Sequence, residues 1–300
     1  MFVRDNSKEQ EWVEVERDDV AILKAHNICI DDDVYFGINV HIGDNVRIGK
    51  GAHIDDDVII SDNVNVYPNV VIAPNVHIFH YVNIGANTVI GTAVKIYEYS
   101  RIAEHVLIHK DAIIYPYVII RPHTTIGEQA VIGRYSVIDS DVTIEDNAHL
   151  RHYVKMNYNS TVCKNARVGV NVSIESDAKI CENAVIENDA HIGFESRVYR
   201  HARVKTGAYI APGGIVYAYT VPPVLTLVGS KDAISYWGDD AVAIGDDIHS
   251  FEAWEEDIDR LSSMYGYTQE QIEEYRLYIQ LIKTIHGRWT SRLDDEIGAH

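Results

Sequence analysis

Three hundred residues with 24% charged and 46% hydrophobic side chains make a globular chain with room for two domains. The formal net charge of −19 excludes a broadly basic surface, and with it polymeric nucleic acid as a partner. Three cysteines are too few for a disulfide framework, and no apolar run is long enough to span a membrane.

Residues 1–27 are mostly polar and form the first expected unit, a cap. Met1 to Trp12 lacks the apolar stretch of a secretory signal, so the expected location is the cytoplasm. Trp12, Val13 and Val15 are expected to cover strand edges at the start of the next unit.

Residues 28–221 carry an unbroken repeat of six. Counting from Ile30 through Ile60, Ile90, Ile120 and Met156 to Val216 gives thirty-two consecutive hexads, each holding Ile, Val, Leu, Met or Phe. Two residues earlier the chain is small or branched, as at Val34, Ala52, Ser100, Thr124 and Gly214. This fits neither a helical period nor plain alternation. It fits short strands with two inward residues flanking one outward residue, joined by tight turns. The turn residue falls three after the apolar one, often as Asn or Asp: Asp33, Asn39, Asn45, Asp57, Asn63 and Asn87. Both tolerate a left-handed backbone. Three hexads would close one triangular coil, and ten to eleven coils at about 4.8 Å give a prism on the order of 50 Å long.

These residues resemble the hexapeptide-repeat, left-handed parallel β-helix family across residues 28–221. The resemblance implies the left hand, which the usual crossover rule would not have favoured. It also implies a homotrimer with ligands held between subunits.

One corner departs from Asn and Asp. Tyr81, Tyr99, Tyr117, Tyr135 and Tyr153 follow one another at intervals of eighteen residues, with Asn45 and Asn63 before them and Asn171 and Asp189 after. Neighbouring positions change in the same coils, to Phe79, Tyr97 and Tyr115, and to His80, Arg134, Arg151 and His152. Such a ladder can pack against a copy of the chain, since Tyr is enriched at interfaces. It can equally stack a planar ligand. Charge favours the ligand: no Lys or Arg occurs from residue 51 to 94, and then Lys95, Arg101, Lys110, Arg121, Arg134, Arg151 and Lys155 run beside the ladder. In so acidic a chain this is local provision for an anion. The expected binding residues are the five tyrosines with Arg134, Arg151 and His152.

Many members of the family transfer acyl groups from acyl-CoA or acyl carrier protein, with a histidine as base. His105 and His123, one coil apart at another corner, match that role by residue type. Nothing in the chain matches the His-rich catalytic segment of sugar-nucleotide acyltransferases, and no hexad is interrupted by a protruding acceptor loop. Residues 207–223 do resemble the closing coil of the smaller acetyltransferases. Zinc carbonic anhydrases share the fold, but His41, His77 and His149 lie two and four coils apart, too far for one ion. No metal is expected. Cys163 and Cys181, one coil apart, are expected as two free surface thiols.

Residues 222–300 change character after Val221-Pro222-Pro223. Two or three short strands are expected, with Gly238-Asp239-Asp240 a turn. A helix follows with Phe251, Trp254, Ile258 and Leu261 on one face, capped by Ser250 and stopped by Gly266. A second opens with the capping pair Thr268 and Gln271, carries Ile272, Tyr275, Ile279 and Ile282, and is expected to end at Gly287. This hairpin and two-helix module should cover the open end of the last coil, with helix-mediated oligomerisation the alternative. It resembles the C-terminal module of bacteriophage-encoded hexapeptide-repeat proteins, although Asp246 stands where Cys is common.

The sequence therefore leads to an all-β solenoid that binds a small anionic planar ligand without catalysis. A cyclic nucleotide signal sequestered in a host cytoplasm is one such ligand, and no cofactor is needed. The alternatives are an acyltransferase using acyl-CoA and a structural virion protein.

Overall fold

The computed structural model describes residues 1–4, 12–14, 16, 19–216, 226–238, 241–245 and 247–297. From Cys29 to Val216 the chain forms a parallel β-solenoid, the fold class expected from the repeat. Each coil contributes one two-residue strand to each of three faces. Every strand pairs in parallel with those eighteen residues before and after it, as in Ile114↔Ile132, Ile120↔Ile138 and Ile126↔Ile144. Face B begins at Cys29–Ile30, face C at Tyr35–Phe36 and face A at His41–Ile42, and the order then repeats without interruption.

The hexad sets the core. Val118 and Ile120 are buried while Ile119 between them points out, and this pattern recurs along the prism. A single stack of Ile and Val side chains fills the interior. Buried Ser and Thr hydroxyls at the second inward position bond to carbonyls of the next coil, as Ser100 Oγ does to Tyr115 O (3.1 Å).

Each turn places one residue in the left-handed region, from Asn27 at φ 52° to His201 at φ 60°. Asn and Asp in these turns form side-chain ladders up the corners, such as Asn39 to Asp57 (2.7 Å) and Asn171 to Asp189 (2.9 Å).

At the N-terminus, Phe2–Arg4 continues face A in parallel beside His41–Ile42 and pairs antiparallel with Trp12–Glu14. The Trp12 ring meets the outward-facing His41 ring edge-on at 4.7 Å. Val15 and the Val13 side chain lie outside the described residues. Helix α1 (Val20–Ala25) adds Leu23 to the core.

The tail departs from expectation in detail. Its hairpin is part of a four-stranded antiparallel sheet, Thr226–Val228, Ala233–Gly238, Ala241–Ile244 and Asp247–Ser250. The sheet packs on helices α2 (Phe251–Asp257), α3 (Arg260–Tyr265) and α4 (Gln269–Ile297) around Trp254, Tyr275 and Phe251. Ser250 caps α2 by accepting from Ala253 N, and Thr268 and Gln271 exchange both bonds of a capping box. Gly266, at φ 67°, follows the last residue of α3. Gly287 does not end α4, which runs ten residues further to Ile297. One glycine weakens a helix without breaking it, and the buried Ile272, Tyr275, Ile279 and Ile282 anchor this one upstream. Strand Ala233–Gly238 lies against Ile215–Val216 of the last coil. Residues 221–223, Asp239, Asp240, Asp246 and the Leu261 side chain, all named above, lie outside the described residues.

Cys163 is not a surface thiol. It is 5% exposed, and burial, with Glu145 next in importance, pushes its thiol up to about 12. Cys181 is partly exposed. No helix among the described residues is long and apolar enough to cross a membrane.

Candidate functional site

The five tyrosines form one continuous stack on the corner between faces A and B. Successive ring centroids lie 4.8, 4.9, 4.8 and 5.2 Å apart from Tyr81 to Tyr153, with planes within 3–9° of parallel. The spacing is the rise of the coil, so the β-ladder dictates it. Between 43% and 54% of each tyrosine is exposed, so the edge of the stack faces outward.

Two costs accompany this arrangement. All five tyrosines sit at φ 60–63°, a region that a bulky residue occupies with strain. They also replace the amide ladder that joins corners elsewhere. The fold does hold the corner firmly: Ser136 Oγ donates to Arg151 O (3.3 Å) and accepts from Val154 N (3.2 Å).

A second aromatic column stands beside the first. Phe79, Tyr97 and Tyr115 stack at 4.4 and 5.5 Å, and His77 lies on Phe79 at 3.9 Å. Sequence reasoning noted these residues without assigning them to the site; their eighteen-residue spacing was the available signal. Burial, then Lys95 and His80, lower the His77 pKa and keep the ring neutral. Desolvation, followed by Tyr135, Tyr99 and Glu98, raises the Tyr117 phenol, so this ring bears no charge that would repel an anion.

Arg134 and Arg151 are exposed on this corner, and neither has an ion-pair partner among the described residues. Lys110 pairs with Asp111 and Arg121 with Asp139, whereas Lys95, Arg101 and Lys155, like the two corner arginines, have no ion-pair partner among the described residues. His152 lies between the two arginines on the corner, with its Nδ1 buried and unbonded among the described residues. The predicted residues Tyr81, Tyr99, Tyr117, Tyr135, Tyr153, Arg134, Arg151 and His152 therefore share one corner.

His105 and His123 stack at 5.1 Å on the next corner, between faces B and C. Both are exposed and occupy the left-handed turn position, at φ 57° and 59°. Face B separates them from the tyrosines, with Arg101, Ile119 and Val137 outward on it. His41, His77 and His149 do share face A at two- and four-coil intervals, and no group among the described residues could hold a metal ion.

Repeats and fold together define a hexapeptide-repeat β-solenoid. Residues 39–74 and 105–140 match the family described as bacterial transferase hexapeptide (six repeats). Among curated proteins nothing matches the chain. Many solved structures overlap it, three of which follow. The acetyltransferase domain of PglB from Neisseria gonorrhoeae is 16% identical over 41% of this chain and 48% of that one, at a TM-score of 0.26. The chain thus spans about half the length of that domain. Francisella novicida UDP-N-acetylglucosamine acyltransferase is 16% identical over 83% and 75%, at 0.22. The Arabidopsis UDP-N-acetylglucosamine acyltransferase is 13% identical over 84% and 80%, at 0.28. At these values the overlaps say nothing about substrate.

Proposed function

We propose that this protein binds, as a homotrimer, a small anionic planar ligand of nucleotide type on the tyrosine corner, and that the ligand is the acyl-CoA donor of an acyl transfer. The observation that carries the reading is the stack Tyr81–Tyr153 beside the unpaired Arg134 and Arg151. Acyl-CoA combines an adenine ring that stacks on aromatic faces with phosphates that accept bidentate bonds from a guanidinium.

The matched repeat 105–140 supports transfer, because it contains Tyr117, Arg134 and Tyr135 together with His105 and His123. One of these histidines would take the proton from the acceptor hydroxyl or amine as it attacks the thioester carbonyl. The carbon–sulfur bond then breaks, and the CoA thiolate leaves and is protonated. Tyrosine and histidine corners flank the same face B, and a groove between subunits would bring one subunit's donor to the other's base.

Sequestration without chemistry is the second reading. Supporting it, five equivalent rings stand on one corner while the histidines stand on another. A phage protein could hold a host's cyclic nucleotide signal in this way, and the tail's resemblance fits such an origin. A structural part of a virion would need no ligand.

Incubation with acetyl-CoA and a panel of sugar amines and alcohols, followed by thiol release, tests the choice. Acyl transfer predicts release that falls on the order of 10²–10⁴-fold in His105→Ala or His123→Ala while acetyl-CoA still binds. Recovery of unchanged ligand from both wild type and variants would replace transfer with sequestration.

A further inference from the structure

We propose that face A carries a separate anion pocket, between residues 149 and 206, that takes a phosphate or diphosphate group. This pocket begins where the tyrosine ladder ends and shares only Arg151 with that corner.

A hollow of about 590 Å³ lies there, within the range of small-ligand sites. Its cause is local. The corner column reads Arg151, Gly169, Glu187, so a long side chain is missing in the middle coil. Packing requires the glycine: a Cβ on Gly169 would sit 2.6 Å from the Glu187 carbonyl carbon and from Asn188 N. The buried Val168 and Gly169 lie at the bottom of the hollow, ringed by longer neighbours.

Three of those neighbours are arginines, Arg151, Arg167 and Arg203. His149 and Arg167 pair directly in register on face A, and Arg203 lies two coils beyond Arg167. Arg151 and Arg167 are exposed and have no ion-pair partner among the described residues. Glu187 is the acid lining the hollow, and it is already engaged. Arg203 Nε donates to it at 2.6 Å, Thr206 donates through both N (3.0 Å) and Oγ1 (2.9 Å), and Lys205 Nζ stands at 3.6 Å. These bonds, Arg203 first, hold its carboxyl at about 2. Burial, then Arg151 and Arg167, keep His149 neutral and able to accept or donate.

Two free guanidiniums above a walled hollow, with the local acid satisfied, form a positive site on a chain of net charge −19. Forked N–H donors match phosphate oxygens, which explains the preference for phosphate over a simple carboxylate. Neither a planar ring nor the tyrosine stack is needed.

Inorganic pyrophosphate is therefore the probe, titrated calorimetrically into the full chain at low and at physiological salt. Wild type is expected to bind, more weakly as salt rises. Arg167→Ala should weaken binding by about tenfold or more, the loss of a charge-assisted contact. Arg197→Ala, on face C, should bind like wild type, and so should Tyr117→Asn. No heat with wild type up to millimolar pyrophosphate would overturn the proposal. Equal weakening by Arg167→Ala and Arg197→Ala would overturn it too, by showing diffuse charge attraction. If Tyr117→Asn abolishes nucleotide binding but spares pyrophosphate, the two sites are distinct. If pyrophosphate fails while nucleotide still binds, only this pocket is lost.

Discussion

Replacing Tyr117 by Asn separates what the ring does for the fold from what it does for a ligand. Asn is the residue that the same corner uses at positions 63 and 171. Tyr117 sits at φ 63°, and relief of left-handed strain on going to Asn is worth up to ~1 kcal/mol. Against this, the ring loses stacking on Tyr99 (4.9 Å) and Tyr135 (4.8 Å), at most ~0.5–1.5 kcal/mol each and towards the low end at an exposed corner. The two effects nearly cancel, so the melting temperature should move by less than about 4 °C. Ligand affinity has no such compensation. One lost base–aromatic contact is worth ~1–3 kcal/mol, which is roughly a 5- to 150-fold rise in Kd. Calorimetric titration with acetyl-CoA and with a cyclic dinucleotide, beside a thermal melt, measures both. A variant that melts normally yet binds like wild type would refute the platform. One that falls apart into monomers on sizing would make the ladder an interface instead.

Ile120→Asp buries an unpaired charge at a position 1% exposed, and the variant should fail to fold by circular dichroism. One residue inserted between Ile120 and Ile126 should be nearly as damaging, because it turns inward side chains outward, whereas a native melt would disprove the register. A thiol reagent at pH 8 should modify exposed Cys29 quickly and Cys181 more slowly, and should leave Cys163, held near 12, untouched until denaturant is added. His77 and His149 have lowered pKa values in the folded chain, so the unfolded chain takes up their protons first on acidification. Their contribution is complete above the ordinary value of about 6.5 and is lost as pH falls below it, so urea midpoints should drop between pH 7.5 and 5.5. The drop should shrink in His149→Gln.

The solenoid was legible because its period leaves little freedom. A strict six-residue count places Ile, Val and Leu inward and Asn or Asp at the left-handed turn, and the ladder follows. The tyrosine stack was legible for the same reason, since eighteen residues is one coil. Features that depend on side-chain volume were not. Cys163 appears outward by count, yet it is buried. The hollow at Gly169 depends on a missing side chain between Arg151 and Glu187, and on Glu187 being consumed by Arg203 and Thr206. The tail carries no repeat, so its fourth strand and the passage of α4 through Gly287 had no period to announce them.

Native mass spectrometry of protein purified gently from producing cells, and again after adding acetyl-CoA or a cyclic dinucleotide, tests the central claim most directly. It weighs the oligomer and identifies what the tyrosine corner holds. Wild type should appear as a trimer carrying a nucleotide-bearing ligand, and a Tyr117→Asn/Tyr135→Asn double variant as the same trimer without it. A trimer that takes up no nucleotide under any of these conditions, or a double variant that carries the same ligand at the same occupancy, would contradict the account.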